Sequence, residues 1–217
     1  VKQGRGTPEG RAAWERLSNA KADALHAILD GMNTKDTAAA NWLRLAFDRI
    51  AEREMKSGGK AIDSAKILAF VKNPAKEGRA RRFALDLVER IQPGTRKQLF
   101  LDSLDDPEFR FEAVGLALEK ARAAAKAGNS LIAVNLHRQA FDKSRDIMQA
   151  RDAAVGLEAG GIKVSVAEHL GFLTDWRLIG PFESKGQMGP RLSYPPEKNV
   201  DPTEELDGQK GKVRWKR

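Results

Sequence analysis

The fold class follows most directly from one stretch of sequence, which reads Lys76-Glu77-Gly78-Arg79-Ala80-Arg81-Arg82-Phe83-Ala84-Leu85-Asp86-Leu87-Val88-Glu89-Arg90-Ile91. Its apolar side chains recur at i, i+3, i+4 and i+7, namely at Ala84, Leu87, Val88 and Ile91. This spacing places them on one face of a helix. Pro93-Gly94 then ends the pattern. The stretch therefore predicts an amphipathic α-helix that stops before Pro93.

The same spacing recurs from Thr7 to about Leu170. Thr7-Pro8-Glu9 is typical of a helix start, because it combines an N-cap hydroxyl, a proline at the first position and an acid near the positive helix end. The first predicted helix covers 7–31, and the second starts at Thr34 or Asp36 and ends at the break at 57–60. The next four helices cover 63–72, 76–91, 95–104 and 106–128. The last one starts after Asn129 and passes through Ile147.

Many helices of this length with short connections predict a mainly α fold. Each antiparallel pair has an apolar stripe that it cannot bury alone, so the pairs are expected to stack into an α-α superhelix. The repeats are not regular, which favours a degenerate α-solenoid. We assign residues 1–170 to this helical repeat domain.

Residues 171–217 differ in character, because Pro, Gly, Tyr and Trp appear and helical spacing stops. Segment 176–182 is predicted to be a strand followed by a turn, and 212–216 alternates as a half-buried strand does. Prolines predict that 194–197 is extended. We interpret the region as an extended junction and the start of an incomplete β-rich domain, most of which we expect to lie beyond residue 217.

Composition excludes some function classes. The 217 residues include no cysteine, which excludes disulfides, thiolate metal sites and cysteine nucleophiles. No apolar run approaches the roughly 20 residues of a membrane-spanning helix, so membrane insertion is not expected. The chain has 38 Lys and Arg against 30 Asp and Glu, a net charge of +8. A basic polyanion-binding module, for nucleic acid or acidic glycans, is therefore an alternative. The scattered charges argue against specific nucleic-acid binding, and the densest basic stretches are 79–82 and 210–217.

Candidate metal and catalytic residues are few. Asp102, Asp105, Asp106 and Glu108 lack the spacing of a calcium loop, and helix capping explains them better. The three histidines are scattered, and His137 lies in an apolar helical stripe, as a core or interface histidine does. We therefore predict no catalytic residue, no metal site, no cofactor and no enzymatic activity.

Four aromatic residues of the C-terminal region form the main candidate surface: Trp176, Phe182, Tyr194 and Trp215. They could form a platform for a sugar or a proline-rich peptide. The alternative is that they pack the junction between the helices and the β-region, since large aromatics bury well and stabilise irregular segments. We favour packing.

Two segments carry a family resemblance. Leu104-Asp105-Asp106-Pro107-Glu108-Phe109-Arg110-Phe111-Glu112-Ala113-Val114 resembles a HEAT-type repeat. His169-Leu170-Gly171-Phe172-Leu173-Thr174-Asp175-Trp176-Arg177-Leu178-Ile179-Gly180-Pro181-Phe182, together with Tyr194-Pro195-Pro196-Glu197 and Gly211-Lys212-Val213-Arg214-Trp215, is similar to large HEAT-repeat proteins of planctomycete-type bacteria.

The resemblance implies a HEAT/ARM-like solenoid joined to a β-sandwich similar to a carbohydrate-binding module, in a protein that is usually exported. It also implies that Asp106 caps a helix, that Arg110 reaches a carboxylate of a neighbouring repeat, and that Ala113 allows close helix approach. The leading hypothesis is a non-catalytic helical scaffold for protein–protein contacts. Carbohydrate binding through the missing β-domain, with this segment as its spacer, is a further alternative.

Overall fold

A computed structural model of the chain describes residues 7–184 and 192–216. Within these residues it contains eleven helices and two strands, and residues up to Val164 and from Ser165 onward form separate compact units. The elements are α1 (Pro8–Ser18), α2 (Ala24–Gly31), α3 (Thr37–Lys56), α4 (Ser64–Lys72), α5 (Gly78–Ile91), α6 (Thr95–Leu101), α7 (Arg110–Lys126), α8 (Ser130–Lys143), α9 (Ile147–Ala159), α10 (Val166–His169), α11 (Pro195–Lys198), β1 (Glu205–Gly208) and β2 (Gly211–Arg214).

The first unit confirms the prediction of a mainly helical fold. Helices close in sequence pack on one another: α1 and α2 on α3, α4 on α5, α7 on α8 and α8 on α9. One core cluster joins α2 to α6 and includes Phe47, Ile50, Val88 and Phe109. Alanines dominate the buried face of α7–α9, where their small side chains allow the helix backbones to approach closely. None of the helices in the described residues is both long and apolar enough to cross a bilayer.

Several helices start where the sequence predicted, and each of these starts has a side-chain cap. The Thr7 hydroxyl accepts a hydrogen bond from Gly10 N at 3.1 Å. Asp36 accepts bonds from two amides at the start of α3, and Asp63 accepts one from Lys66 N at 2.9 Å. These side chains satisfy amides that have no partner within the helix. The prediction of the break at 57–60 is also confirmed.

The predicted helix over 7–31 is wrong, because the structure divides it into α1 and α2. No glycine or proline marks the interruption. Arg53 of α3 stabilises it instead, since its guanidinium donates to Ser18 O at 3.2 Å and also to Ala20 O. A contact from a distant helix therefore supplies partners for carbonyl groups that the interrupted helix leaves unpaired.

The last predicted helix is also divided. In the structure, helix α8 ends at Lys143, the backbone of Ser144 is extended, and a separate helix, α9, begins at Ile147. The Asp146 carboxylate caps α9 by accepting from Met148 N at 2.9 Å and Gln149 N at 3.0 Å. The capping signal was present in the sequence, but the uninterrupted apolar spacing concealed it.

The second unit contains a β-hairpin of two four-residue strands joined by a two-residue turn. Strands β1 and β2 are antiparallel, with Leu206 opposite Val213 and Gly208 opposite Gly211. The strand predicted over 212–216 is thus confirmed in part by β2, whereas β1 was not predicted. The strand predicted over 176–182 is wrong in its extent, because only Leu178 forms a bridge, to Lys216.

The extended conformation predicted for 194–197 is wrong at its proline residues. Pro195–Lys198 forms the short helix α11, and Tyr194 is its N-cap residue. Proline fixes φ near the value of the first helical turn, where no backbone N–H is needed, so two prolines are compatible with a helix start.

Candidate functional site

Arg81 is the largest fully buried side chain of the described residues, with 2% exposure. Its Nε donates to Val71 O at 2.7 Å, and its two terminal nitrogens bind the Asp106 carboxylate, Nη1 to Oδ1 at 3.0 Å. The guanidinium carbon also lies 4.7 Å from the centre of the Phe109 ring. A bidentate pair of this kind fixes both partners in orientation as well as distance. Arg81 therefore ties α4, α5 and the turn before α7 together.

Arg82 extends this contact at the surface. It donates to Glu108 and to Glu112, with Nη1 of Arg82 2.5 Å from Oε1 of Glu112. The hydrogen bond that Arg82 donates to the Glu112 carboxylate is the main reason that the pKa of Arg82 is raised, and its hydrogen bond to Glu108 adds to this. Gly78 makes room for this arrangement, because a β-carbon there would lie 2.0 Å from Oε2 of Glu108.

Opposing effects set the pKa of Asp106. Burial of the carboxyl group raises it, and hydrogen bonds from Arg81 and from the amides of Glu108 and Phe109 lower it. The hydrogen bonds and the charge of Arg81 outweigh burial, so the pKa of Asp106 lies below its ordinary value. The carboxylate is thus held in its charged form beside Arg81.

The interpretation of the acidic cluster as helix caps was incomplete. Asp106 does cap a turn, because it accepts from Glu108 N at 2.9 Å, but α7 begins only at Arg110. Asp105 also binds the ammonium group of Lys143. Three members of the cluster therefore form ion pairs with cations from other helices.

Among the described residues, the Arg110 guanidinium donates to carbonyl oxygens, whereas the family resemblance implies a carboxylate of a neighbouring repeat. Its Nε donates to the carbonyl oxygen of Leu104 and its Nη2 to that of Asp105, both at 3.2 Å. Arg81 does reach across to a carboxylate, that of Asp106, which lies 25 residues away in the sequence. Arg110 closes the turn that precedes its own helix.

The aromatic residues of the second unit are only partly brought together. Phe182 stacks on Tyr194, with ring centres 5.2 Å apart and an angle of 22° between the planes. Trp176 is 60% exposed, and its Nε1 donates to Leu173 O at 2.9 Å. Trp215 is half-buried. The structure thus provides one stacked pair and one largely exposed indole ring.

Two cations of the basic stretch 210–217 form ion pairs within the hairpin. Lys212 Nζ lies 2.6 Å from Asp207, and Arg214 Nη2 lies 2.5 Å from Glu205, each across the two strands. Residue 217, at the end of this stretch, lies outside the described residues. Lys212 and Arg214, which the sequence placed in a basic tail, are therefore paired with carboxylates of the opposite strand.

The histidines have different surroundings. His137 is 6% exposed, which confirms its interpretation as a core or interface residue, and it packs so tightly on α9 that a β-carbon at Gly156 would lie 2.2 Å from its Nε2. His26 Nδ1 lies 3.4 Å from Asp30, which also accepts from Lys76 Nζ at 2.7 Å. This i, i+4 pair was visible in the sequence and was not predicted. Over residues 7–184 and 192–216, no group of three or more metal-ligating side chains occurs.

Helices α7–α9 expose large apolar side chains that the sequence analysis did not single out. Their exposed fractions are 58% at Phe111, 75% at Leu131, 55% at Ile132, 66% at Met148 and 67% at Val155. Phe111 of α7 and Met148 of α9 belong to the same part of this surface, because Gln149, the residue after Met148, donates to Phe111 O at 2.8 Å. Apolar spacing alone cannot distinguish a buried stripe from an exposed one.

Fold and contacts define this protein as a helical protein whose neighbouring helices are joined by long-range arginine contacts. No protein-family model matches the chain, and it matches neither a curated protein nor a solved structure.

Proposed function

We propose that this chain is a non-catalytic helical-repeat scaffold of the HEAT-like α-solenoid type, and that it binds another protein through its helices. The packing of consecutive helices supports this proposal, because repeat proteins are built from contacts between sequence neighbours. The family resemblance of segment 104–114 points the same way.

The observation that carries the proposal is the exposure of large apolar side chains on α7–α9. Leu131, Met148 and Val155 each leave about two thirds or more of their surface in contact with solvent. Single exposed apolar residues are common, but several on adjacent packed helices favour an interaction surface. Covering them with a partner would remove apolar area from water, which is the main driving force of protein association.

Polyanion binding has less support from the described contacts. Two of the three arginines in 79–82 bind carboxylates of the same chain, and the Arg81 guanidinium is buried. Phosphate binding would have to compete with those carboxylates. The spacer role for a carbohydrate-binding domain stays a prediction.

Site-specific photo-cross-linking in the native host tests the scaffold proposal. Benzoylphenylalanine is introduced singly at Leu131 and at Met148, and at Lys97 as an exposed control position. We expect one defined protein to be cross-linked from Leu131 or Met148, and its yield to fall when Ile132→Asp is added. Equal yields from Lys97, or no cross-linked protein, would reject the proposal.

A further inference from the structure

The first unit contains a cleft of about 680 Å³ between the link that joins α2 to α3, the first turns of α3, and the start of α5. Its walls include the apolar side chains of Met32, Ala40 and Phe83. Met32 is buried and the Phe83 ring packs 4.8 Å from that of Phe47, so this wall is held by the core. The volume is within the range of sites that accept a small ligand or a few residues of a peptide.

Cations surround this apolar wall. Lys35, Arg44 and Arg79 line the cleft and are exposed. The Arg79 side chain is 91% exposed, and its contact with Glu77 is long, at 3.9 Å. Among the ion pairs of the described residues, neither Lys35 nor Arg44 has a carboxylate partner. The cleft thus offers cations that form no close ion pair among the described residues, although Arg44 also interacts electrostatically with Asp48.

Two carboxylates among the lining residues decide between partner classes. Glu77 accepts from Ala80 N at 2.7 Å, and Asp86 accepts from Arg96 at 2.6 Å, so both are fixed in place. A nucleic-acid backbone, with a negative charge at every step, would meet these acids as well as the cations. A peptide can place isolated carboxylates beside the cations and an apolar side chain against Phe83.

We infer that this cleft is the recognition site for an acidic peptide segment that carries an apolar side chain, presented by the scaffold's protein partner. The inference rests on the proposed function and specifies the chemistry of one of its contacts.

Selection from a phage-displayed library of random 12-residue peptides tests the inference on the full chain. We expect the selected peptides to be rich in Asp and Glu and to share a Leu or Phe. One of these peptides, labelled with fluorescein, is then titrated with the protein. Lys35→Ala combined with Arg44→Ala should weaken its binding about tenfold, because two exposed ion pairs are lost.

Two further variants complete the experiment. Ala40→Trp fills the apolar side of the cleft and should weaken binding even though all the cations remain. Lys97→Ala combined with Lys120→Ala removes two exposed charges outside the cleft and should leave binding within about twofold. Circular dichroism and the thermal midpoint confirm that each variant is folded.

Any of three results with peptides would overturn the inference. They are failure to select any peptide, selected peptides without acidic bias, and equal binding by the cleft variants and the control. Tighter binding of a 12-base-pair DNA duplex than of the peptide, with the same loss in the cleft variants, would also overturn it in favour of a polyphosphate site. Continued cross-linking from Leu131 or Met148 would then show that the scaffold proposal survives without this cleft.

Discussion

Arg81 shows at the scale of single residues how this chain uses its basic charge. Its guanidinium is 2% exposed and binds Asp106, whose side chain is 15% exposed. Removing a charge from water is costly, and a buried pair recovers that cost only while both partners are present. Arg81→Met keeps much of the apolar stem but leaves the Asp106 carboxylate unpaired. We expect a loss of about 3 kcal/mol in the free energy of unfolding, measured by urea denaturation.

Arg79→Met is the matched control, because Arg79 lies two positions away on the same helix with its side chain 91% exposed. Its effect should stay within about 0.5 kcal/mol, as is usual for exposed positions. Similar losses in the two variants would show that the Arg81 contact contributes no special stability.

The low pKa of Asp106 predicts a pH dependence with a definite sign. The folded-state pKa is below the ordinary value of 3.8, so the carboxylate stabilises the fold at pH values above 3.8. This contribution is lost as the pH falls through the folded-state pKa. The difference in unfolding free energy between the wild type and Asp106→Asn should therefore be constant near pH 7 and shrink below about pH 4. Denaturation series at pH 7, 5, 4 and 3 measure it, and a difference that grows on acidification would contradict the assignment.

The sequence was informative about residues whose role is local. The caps at Thr7, Asp36 and Asp63 could be predicted because donor and acceptor lie within three residues. The partners of Arg81 could not be predicted, because Asp106 is 25 positions away and only packing brings the two together. For the same reason 79–82 resembled an exposed basic patch in the sequence.

At the scale of helices, the close packing of α8 and α9 depends on glycines, which have no β-carbon. A β-carbon at Gly156 would lie 2.2 Å from His137 Nε2, and one at Gly160 would lie 2.4 Å from a methyl group of Val134. Contacts this short force a helix or side chain to move. We expect Gly156→Ala to lower the free energy of unfolding by about 1–3 kcal/mol, although alanine is the better helix former.

Gly115→Ala in α7 provides the matched control. The nearest atom to a β-carbon there is Gln149 Nε2, at 3.7 Å, which is an ordinary contact. The gain in helix propensity should then raise stability by about 0.5–1 kcal/mol. Opposite signs for the two substitutions in thermal unfolding would confirm the close approach of α8 and α9, whereas stabilisation by both would contradict it.

Helix type was easier to predict than helix boundaries. Apolar spacing identified the helical segments of the first unit, but it continued through the breaks at 19–23 and 144–146. Spacing reports which side of the chain is apolar, whereas a break depends on where backbone groups find other partners. Arg53 supplies these for the first break and Asp146 for the second.

At the scale of the whole molecule, the two compact units differ in how they bury side chains. The first unit contains a hydrophobic cluster that joins α2 to α6, and buried faces on α7–α9. In the second unit, none of the described residues is buried, and Phe172, Leu173 and Trp176 are more than half exposed. A single two-stranded hairpin is at best marginally stable in water. The sequence predicted the change in character after the helices, but it could not show that Phe172 and Trp176 remain exposed there.

The helical unit up to Val164 should fold independently, as a scaffold that presents binding surfaces must. Thermal unfolding of the full chain and of the chain truncated after Val164, followed by circular dichroism at 222 nm, tests this most directly. We expect both to unfold cooperatively, with midpoints within about 4 °C, since a difference of 1 kcal/mol moves the midpoint by that amount or less at this size. Loss of the cooperative transition on truncation, or a midpoint lower by about 10 °C or more, would contradict the claim.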